Sequence, residues 1–165
     1  MSSNEGLSID QVLMGTVEAT IDDKGRVLVG KKNREALGET FVLAIGPSGC
    51  LNAYSNSVWV GIVKEILSHE SINVGLDQYT RLIIGESEGD IRFDAQGRFV
   101  VPQRFRAAAK LKDKLKLVGC GTRMEIWAIP EYEACIANPE GYGLVRRQMV
   151  KRAYLEMKGL QPAAL

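Results

Sequence analysis

Histidine is almost missing from this chain, with His69 the only one in 165 residues. Any Ser-His-Asp or Cys-His arrangement therefore has a single candidate base, and no stretch resembles a nucleophile elbow. A zinc site would have at most one imidazole to draw on. Cysteine is nearly as scarce. Cys50, Cys120 and Cys135 are odd in number and form no Cys-x-x-Cys pair, which fits reduced structural thiols rather than a disulfide framework. No apolar run approaches the roughly 18 residues of a membrane span. The start, Met1-Ser2-Ser3-Asn4-Glu5-Gly6, has neither the basic nor the apolar region of a signal peptide, so a cytoplasmic protein without membrane contact is expected. Gly119-Cys120-Gly121 lacks the third glycine and following lysine of phosphate-binding loops and reads as a turn. These absences lead us to expect no catalytic residue, no cofactor, no metal and no small-molecule substrate, and to look for a protein that works by binding.

A surplus of charge is missing too. The net charge of +1 argues against a uniformly basic nucleic-acid binder. The distribution tells a different story. Residues 24–34 carry Lys24, Arg26, Lys31, Lys32 and Arg34 without one acid, a local charge of +5. Residues 98–116 carry Arg98, Arg104, Arg106, Lys110, Lys112, Lys114 and Lys116 against Asp113, a charge of +6. From Gly141 onward Arg146, Arg147, Lys151, Arg152 and Lys158 stand against Glu156, giving +4 and leaving the remainder at −14. Basic charge is thus gathered into three segments. With 45% apolar and 25% charged residues the chain otherwise has the composition of an ordinary folded domain.

A length of 165 residues suits one domain or two small units, and a repeat decides between them. Residues 21–36 align with 93–108 at a constant offset of 72, so that Asp22, Gly25, Arg26, Arg34 and Ala36 meet Asp94, Gly97, Arg98, Arg106 and Ala108. At an offset of 73, Leu51, Ala53, Tyr54 and Trp59 meet Met124, Ile126, Trp127 and Tyr132. One inserted loop residue accounts for the change. The expected units are residues 14–67 and 86–137, joined by a connector and followed by a basic tail over 138–165.

Within each unit the pattern reads strand, turn, strand, short helix, hairpin and closing helix. Residues 16–21 alternate as a half-buried strand should, and Asp22-Asp23-Lys24-Gly25 supplies turn residues. In Arg26-Val27-Leu28-Val29 the parity that turns Val27 and Val29 inward sends Arg26 outward, and Arg98-Phe99-Val100-Val101 does the same for Arg98. Pro102 is expected at the first position of a helix, and Gly38 as the cap that ends the equivalent helix of the first unit. Residues 41–45 and 50–54 flank Pro47-Ser48-Gly49 as a hairpin. Val58, Ile62 and Ile66 stand at helical spacing after Asn56 or Ser57 as N-cap. Leu76, Tyr79, Leu82 and Ile83 predict a connector helix, and residues 144–158 a basic tail helix.

The Asp-x-Lys-Gly-Arg motif, followed by an aliphatic strand, Pro and a second Arg, resembles the AbrB/SpoVT-like swapped-hairpin DNA-binding domains. Two copies in one chain, with Arg81-Leu82-Ile83-Ile84-Gly85 ahead of the second, resemble the MraZ family. The resemblance implies an α+β fold of two tandem AbrB/SpoVT-like swapped-hairpin β-rich units, packed as an intrachain pseudo-dimer with flanking helices. It also implies a bacterial transcriptional repressor of the division and cell-wall gene cluster, associated with the nucleoid and closing into a ring-like homo-oligomer. Two departures stand out. Gly30 occupies the place of the motif proline in the first copy, and Gln96 that of the motif lysine in the second, so the repeats need not contact DNA equally.

A lone Asp-x-x-x-Arg turn is ordinarily a capped turn with a surface ion pair. Its recurrence with basic neighbours points instead to phosphate or base contact, for which the arginine fork is suited. The expected DNA-binding residues are Lys24, Arg26, Lys31, Arg98 and Arg104. Asp22, Gly25, Asp94, Gly97 and Pro102 are expected to shape the motif, since carboxylates repel phosphate. Arg34 and Arg106 either touch DNA or brace the fold. Lys110, Lys112, Lys114 and Lys116 read as a solvated strand edge or loop. The tail helix is either a second DNA contact or a packing arm between subunits. The expected function is a regulator that binds short direct repeats of double-stranded DNA; the alternative is an AbrB-like antitoxin or adaptor that holds a protein partner through its tail.

Overall fold

Two matching series of strands and helices make up the computed structural model, which describes residues 6–70 and 72–161. After a 3-10 turn at Ile9–Gln11, the first half runs β1 (Thr16–Thr20), β2 (Arg26–Leu28), α1 (Lys31–Leu37), β3 (Thr40–Ile45), β4 (Leu51–Ser55) and α2 (Asn56–Leu67). A connector helix, α3 (Val74–Ile83), leads into the second half. There β5 (Glu88–Arg92), β6 (Arg98–Val100), α4 (Gln103–Ala108), β7 (Lys114–Gly119), β8 (Met124–Ala128) and α5 (Ile129–Ala137) repeat the order, and α6 (Leu144–Met157) follows.

The halves exchange their opening hairpins. A six-stranded antiparallel sheet has the order β1-β7-β8-β4-β3-β5, so β1 lies on the second half's β7 and β5 on the first half's β3. The middle joint is β4 against β8, with Leu51 opposite Ile126 and Ala53 opposite Met124. A second, two-stranded sheet pairs β2 with β6. The chain is therefore an α+β intrachain pseudo-dimer, the arrangement that the family resemblance implies.

One core serves both halves. Val27 and Phe99 from the two-stranded sheet, with Val29 and Val101 just beyond its strands, join Phe41, Leu43, Leu51, Leu115, Met124 and Ile126 from the large one, all buried. Leu37 of α1 and Phe105 of α4 close its ends. Phe41 packs edge-on against Phe99 at 5.2 Å between centroids, a contact between halves of the kind that adds roughly 0.5–1.5 kcal/mol beyond area burial.

Several local expectations need correction. β1 is an outer strand, and its apolar alternation is only partly used, for Val17 stays 53% exposed while Ala19 is half-buried. The N-cap of α2 is Ser55 rather than Asn56 or Ser57. Its backbone is still extended and its Oγ accepts from the Val58 N–H, whereas Asn56 is already helical and donates to Thr40 Oγ1 at 2.8 Å. Pro102 is the N-cap of α4 and precedes its first residue, because its ψ of 146° is extended; its carbonyl accepts from the Phe105 and Arg106 N–H groups. Gly30 occupies the same place with nearly the same geometry, so the missing proline leaves the start of α1 unchanged. Gly38 ends that helix at φ +88°. Lys110 and Lys112 lie in a loop, but Lys114 and Lys116 belong to an interior strand, with β1 shielding its edge. Lys116 faces Glu18 across that pairing at 3.4 Å.

The tail helix packs within the chain. Met157 of α6 is buried with Ile66 and Leu76, and Gly75 lets the two backbones approach where a side chain would collide with Met157 and Glu156. Arg146 anchors the other end through the carbonyls of Gly46 and Ile45. Among the described residues no helix is long and apolar enough to cross a membrane.

Candidate nucleic-acid interface

Each Asp-x-x-x-Arg turn is built around its carboxylate. Asp22 Oδ1 accepts from the backbone N–H groups of Lys24 (3.0 Å) and Arg26 (2.8 Å), while Oδ2 accepts from Arg26 Nε at 2.6 Å. The second turn repeats this. Asp94 Oδ1 accepts from the N–H groups of Gln96 and Arg98, and its Oδ2 from Arg98 Nε, each at 2.9 Å. The backbone N–H of Arg26, and of Arg98 in the other copy, is the main reason that both carboxyls sit below their ordinary pKa. Each ionised carboxylate thus fixes the first arginine nitrogen and leaves the far edge of the guanidinium pointing away from the turn. The two copies differ there. Among the described residues nothing accepts from the terminal nitrogens of Arg26, whereas Arg98 Nη2 donates to Gln96 Oε1 at 3.0 Å.

Each turn is held by the opposite half. Gly25 and Gly97 take φ of +79° and +81°, which only glycine adopts at little cost. Val101 N–H donates to the Gly25 carbonyl at 2.8 Å, and Val29 N–H to that of Gly97 at 3.1 Å. The Arg106 guanidinium lies over Gly25 and that of Arg34 over Gly97, where a Cβ would meet them. Arg34 Nη1 also donates to the Val29 carbonyl at 2.6 Å. These second arginines brace the fold by crossing from one half to the turn of the other.

The β2–β6 pairing then gathers the outward residues. Arg26 stands opposite Val100 and Leu28 opposite Arg98, with Val27 and Phe99 between them turned into the core. The two motif arginines are therefore diagonal neighbours on one exposed face, about 7–8 Å apart between Cα atoms. Lys24 is exposed on the first turn. Lys31 opens α1 with its side chain 80% exposed and its Nζ a loose 3.9 Å from Glu35. Arg104 is the second residue of α4 and is engaged, donating to Glu88 Oε2 at 3.1 Å and to the Ser87 carbonyl while lying over the Phe105 ring. Reasoning from sequence missed Leu28 and Val100, which share the outward face at 56% and 52% exposure. The same alternation that turned the arginines outward would have found them.

The three thiols are free, and burial raises the pKa of each, which favours the protonated form. The family model described as "MraZ protein, putative antitoxin-like" matches residues 12–82 and again residues 83–142. This chain belongs to the MraZ family. A "Transcriptional regulator MraZ" of Thermoanaerobacter sp. (strain X514) is 38% identical over 130 residues, covering 78% of this chain and 90% of that protein. One from Caldanaerobacter subterraneus subsp. tengcongensis is 37% identical over 123 residues, 74% of this chain and 85% of the relative. One from Moorella thermoacetica is 31% identical over 141 residues, 84% and 97% of the two chains. The boundary between the two MraZ matches falls at the end of α3, so each match holds one of the two Asp-x-x-x-Arg turns.

Proposed function

We propose that this MraZ-family chain is a DNA-binding transcriptional regulator that meets double-stranded DNA with the outer face of its β2–β6 ribbon and the turns at Asp22 and Asp94. One observation carries the reading, namely the side-by-side placement of Arg26 and Arg98 on an exposed two-stranded ribbon. Such a ribbon fits the major groove, about 12 Å wide, and an arginine fork can grip either a phosphate or the O6/N7 edge of guanine. Lys24 and Lys31 add positive charge on the first half. The names of the curated relatives support regulation of transcription. The family resemblance extends the proposal to repression of the division and cell-wall gene cluster, in the cytoplasm at the nucleoid, by a ring-like homo-oligomer. An adaptor that captures a partner with a loose tail is disfavoured, because α6 is packed against α3.

Equivalent subunits set head to tail around a ring meet one face of a duplex only where short boxes recur each helical turn, about 10–10.5 base pairs, as direct repeats. Their combined hold arises from effective concentration rather than from a strong single contact. Affinity should fall with salt at roughly −0.9 in log–log slope per phosphate neutralised. Inserting about 5 base pairs between two boxes should remove most of the affinity, and about 10 should restore part of it. Gel-shift titrations check both. A flat salt response, or equal binding at the two spacings, would refute this mode of recognition.

A further inference from the structure

On the outer face of the ribbon the two arginines do not stand alone. The register that places Arg26 beside Val100 and Arg98 beside Leu28 makes two outward pairs, each of one arginine and one aliphatic side chain. The pairs lie two residues apart, about 6.7 Å along the ribbon, which matches two base-pair steps of roughly 3.4 Å. Leu28 and Val100 are more than half exposed, although their neighbours Val27, Val29, Phe99 and Val101 are almost fully buried. An aliphatic pair left in water between two cations is poorly placed to join a neighbouring subunit's apolar face, because burial there would strip water from both guanidiniums. The DNA major groove suits both kinds of group, offering phosphate and guanine oxygens to the arginines and the thymine C5 methyl to the aliphatics.

We propose that Leu28 and Val100 are specificity-determining residues that read thymine C5 methyl groups, each beside the base or phosphate held by the arginine opposite it. The inference rests on the DNA-binding reading above and adds what the basic residues cannot supply, a preference for T over C at fixed positions. Arginine contacts favour guanine or any phosphate, whereas an aliphatic contact rewards a methyl group and nothing else in the groove.

The test uses the full chain and a duplex enriched by it from a random 20-base-pair library. Each thymine of the enriched box is replaced in turn by deoxyuridine, which removes the methyl and leaves base pairing intact. At one or two positions the wild-type chain should lose about three- to fivefold in affinity, the effect of one buried methyl-sized group. Leu28→Ser or Val100→Ser should abolish that discrimination at its own position and leave the other unchanged, the behaviour expected of directly coupled groups. Both side chains are exposed, so the variants should keep the wild-type circular dichroism and unfolding midpoint. Undiminished binding to every deoxyuridine duplex, with Arg26→Ala still weakening binding, would overturn the methyl contact alone. A change of oligomeric state in Leu28→Ser, with thymine discrimination intact, would likewise overturn it and assign the patch to a subunit joint. Failure of the chain to enrich any duplex would overturn the DNA-binding reading and this inference with it.

Discussion

Arg26 and Arg98 occupy equivalent places but are not equally free. Both give Nε to an aspartate, and only Arg98 also spends a terminal nitrogen on Gln96. A ligand must break that extra bond, and beside Arg26 it gains Lys24 instead. Arg26→Ala should therefore weaken DNA binding by about 1–3 kcal/mol and Arg98→Ala by less, with the fold of both unchanged. Gln96→Lys should strengthen binding and narrow the difference. Equal losses for the two alanine variants, read in gel-shift titrations, would show that the Gln96 contact is irrelevant. The aspartates make a separate prediction about acid. Their folded pKa values lie below the ordinary 3.8, so ionised Asp22 and Asp94 stabilise the fold above that value, and the stabilisation is lost as pH falls through the lowered values. Asp22→Asn with Asp94→Asn should be less stable than wild type at pH 7, and the gap in urea midpoint should close as pH drops below 3.8. A gap that stays constant with pH would mean that the turns owe nothing to the charge.

The turn between β1 and β2 and that between β5 and β6 depend on two glycines, for two reasons that add. Positive φ strains any other residue by about 1–3 kcal/mol. A Cβ on Gly25 would also come within 2.9 Å of the Val101 carbonyl oxygen, and one on Gly97 would strike the Arg34 guanidinium. Gly25→Ala and Gly97→Ala should each lower stability by more than the conformational cost alone, because each also disturbs the bond between its turn and the opposite half. Half-buried Gly49, at φ +88° with open space where a side chain would start, supplies the control in the same unfolding assay. Equal costs at all three positions would mean that the crossing contacts contribute nothing. Much at this scale was legible. The Asp-x-x-x-Arg repeat, the parity of residues 26–29 and 98–101, and the helical spacing in α2 and α3 are local signals, and local signals survive in a sequence. Which strand pairs with which is not local. Nothing in residues 16–20 names residues 114–118 as their partner, and only the family resemblance supplied the exchange. Nor could sequence place the N-cap of α2 among Ser55, Asn56 and Ser57, since each is a competent cap and backbone geometry alone chooses.

Joining two halves in one chain permits what a symmetric dimer forbids, namely different turns on one ribbon. Lys24 and Gln96 could not coexist if both halves came from identical chains, so the duplication gives the proposed interface two unlike ends. The same architecture makes each half incomplete. Residues 6–83 alone would leave β1 without β7, β3 without β5 and β4 without β8. They would also expose Val27 and Phe41, whose buried contacts include Phe99 of the other half. A strand edge and an apolar face open together are strong drivers of association. Residues 6–83 should therefore not form a stable monomer, and should instead unfold or self-pair by setting β4 against its own copy. Adding residues 84–161 should restore a one-to-one complex with the circular dichroism of the intact chain, at an affinity limited by the loss of the covalent link. Size-exclusion chromatography and urea unfolding of each piece and of the mixture would decide the matter. A monomeric first half that unfolds cooperatively would show that the core divides between the halves, and the exchange of hairpins would then be an ornament rather than the basis of the fold.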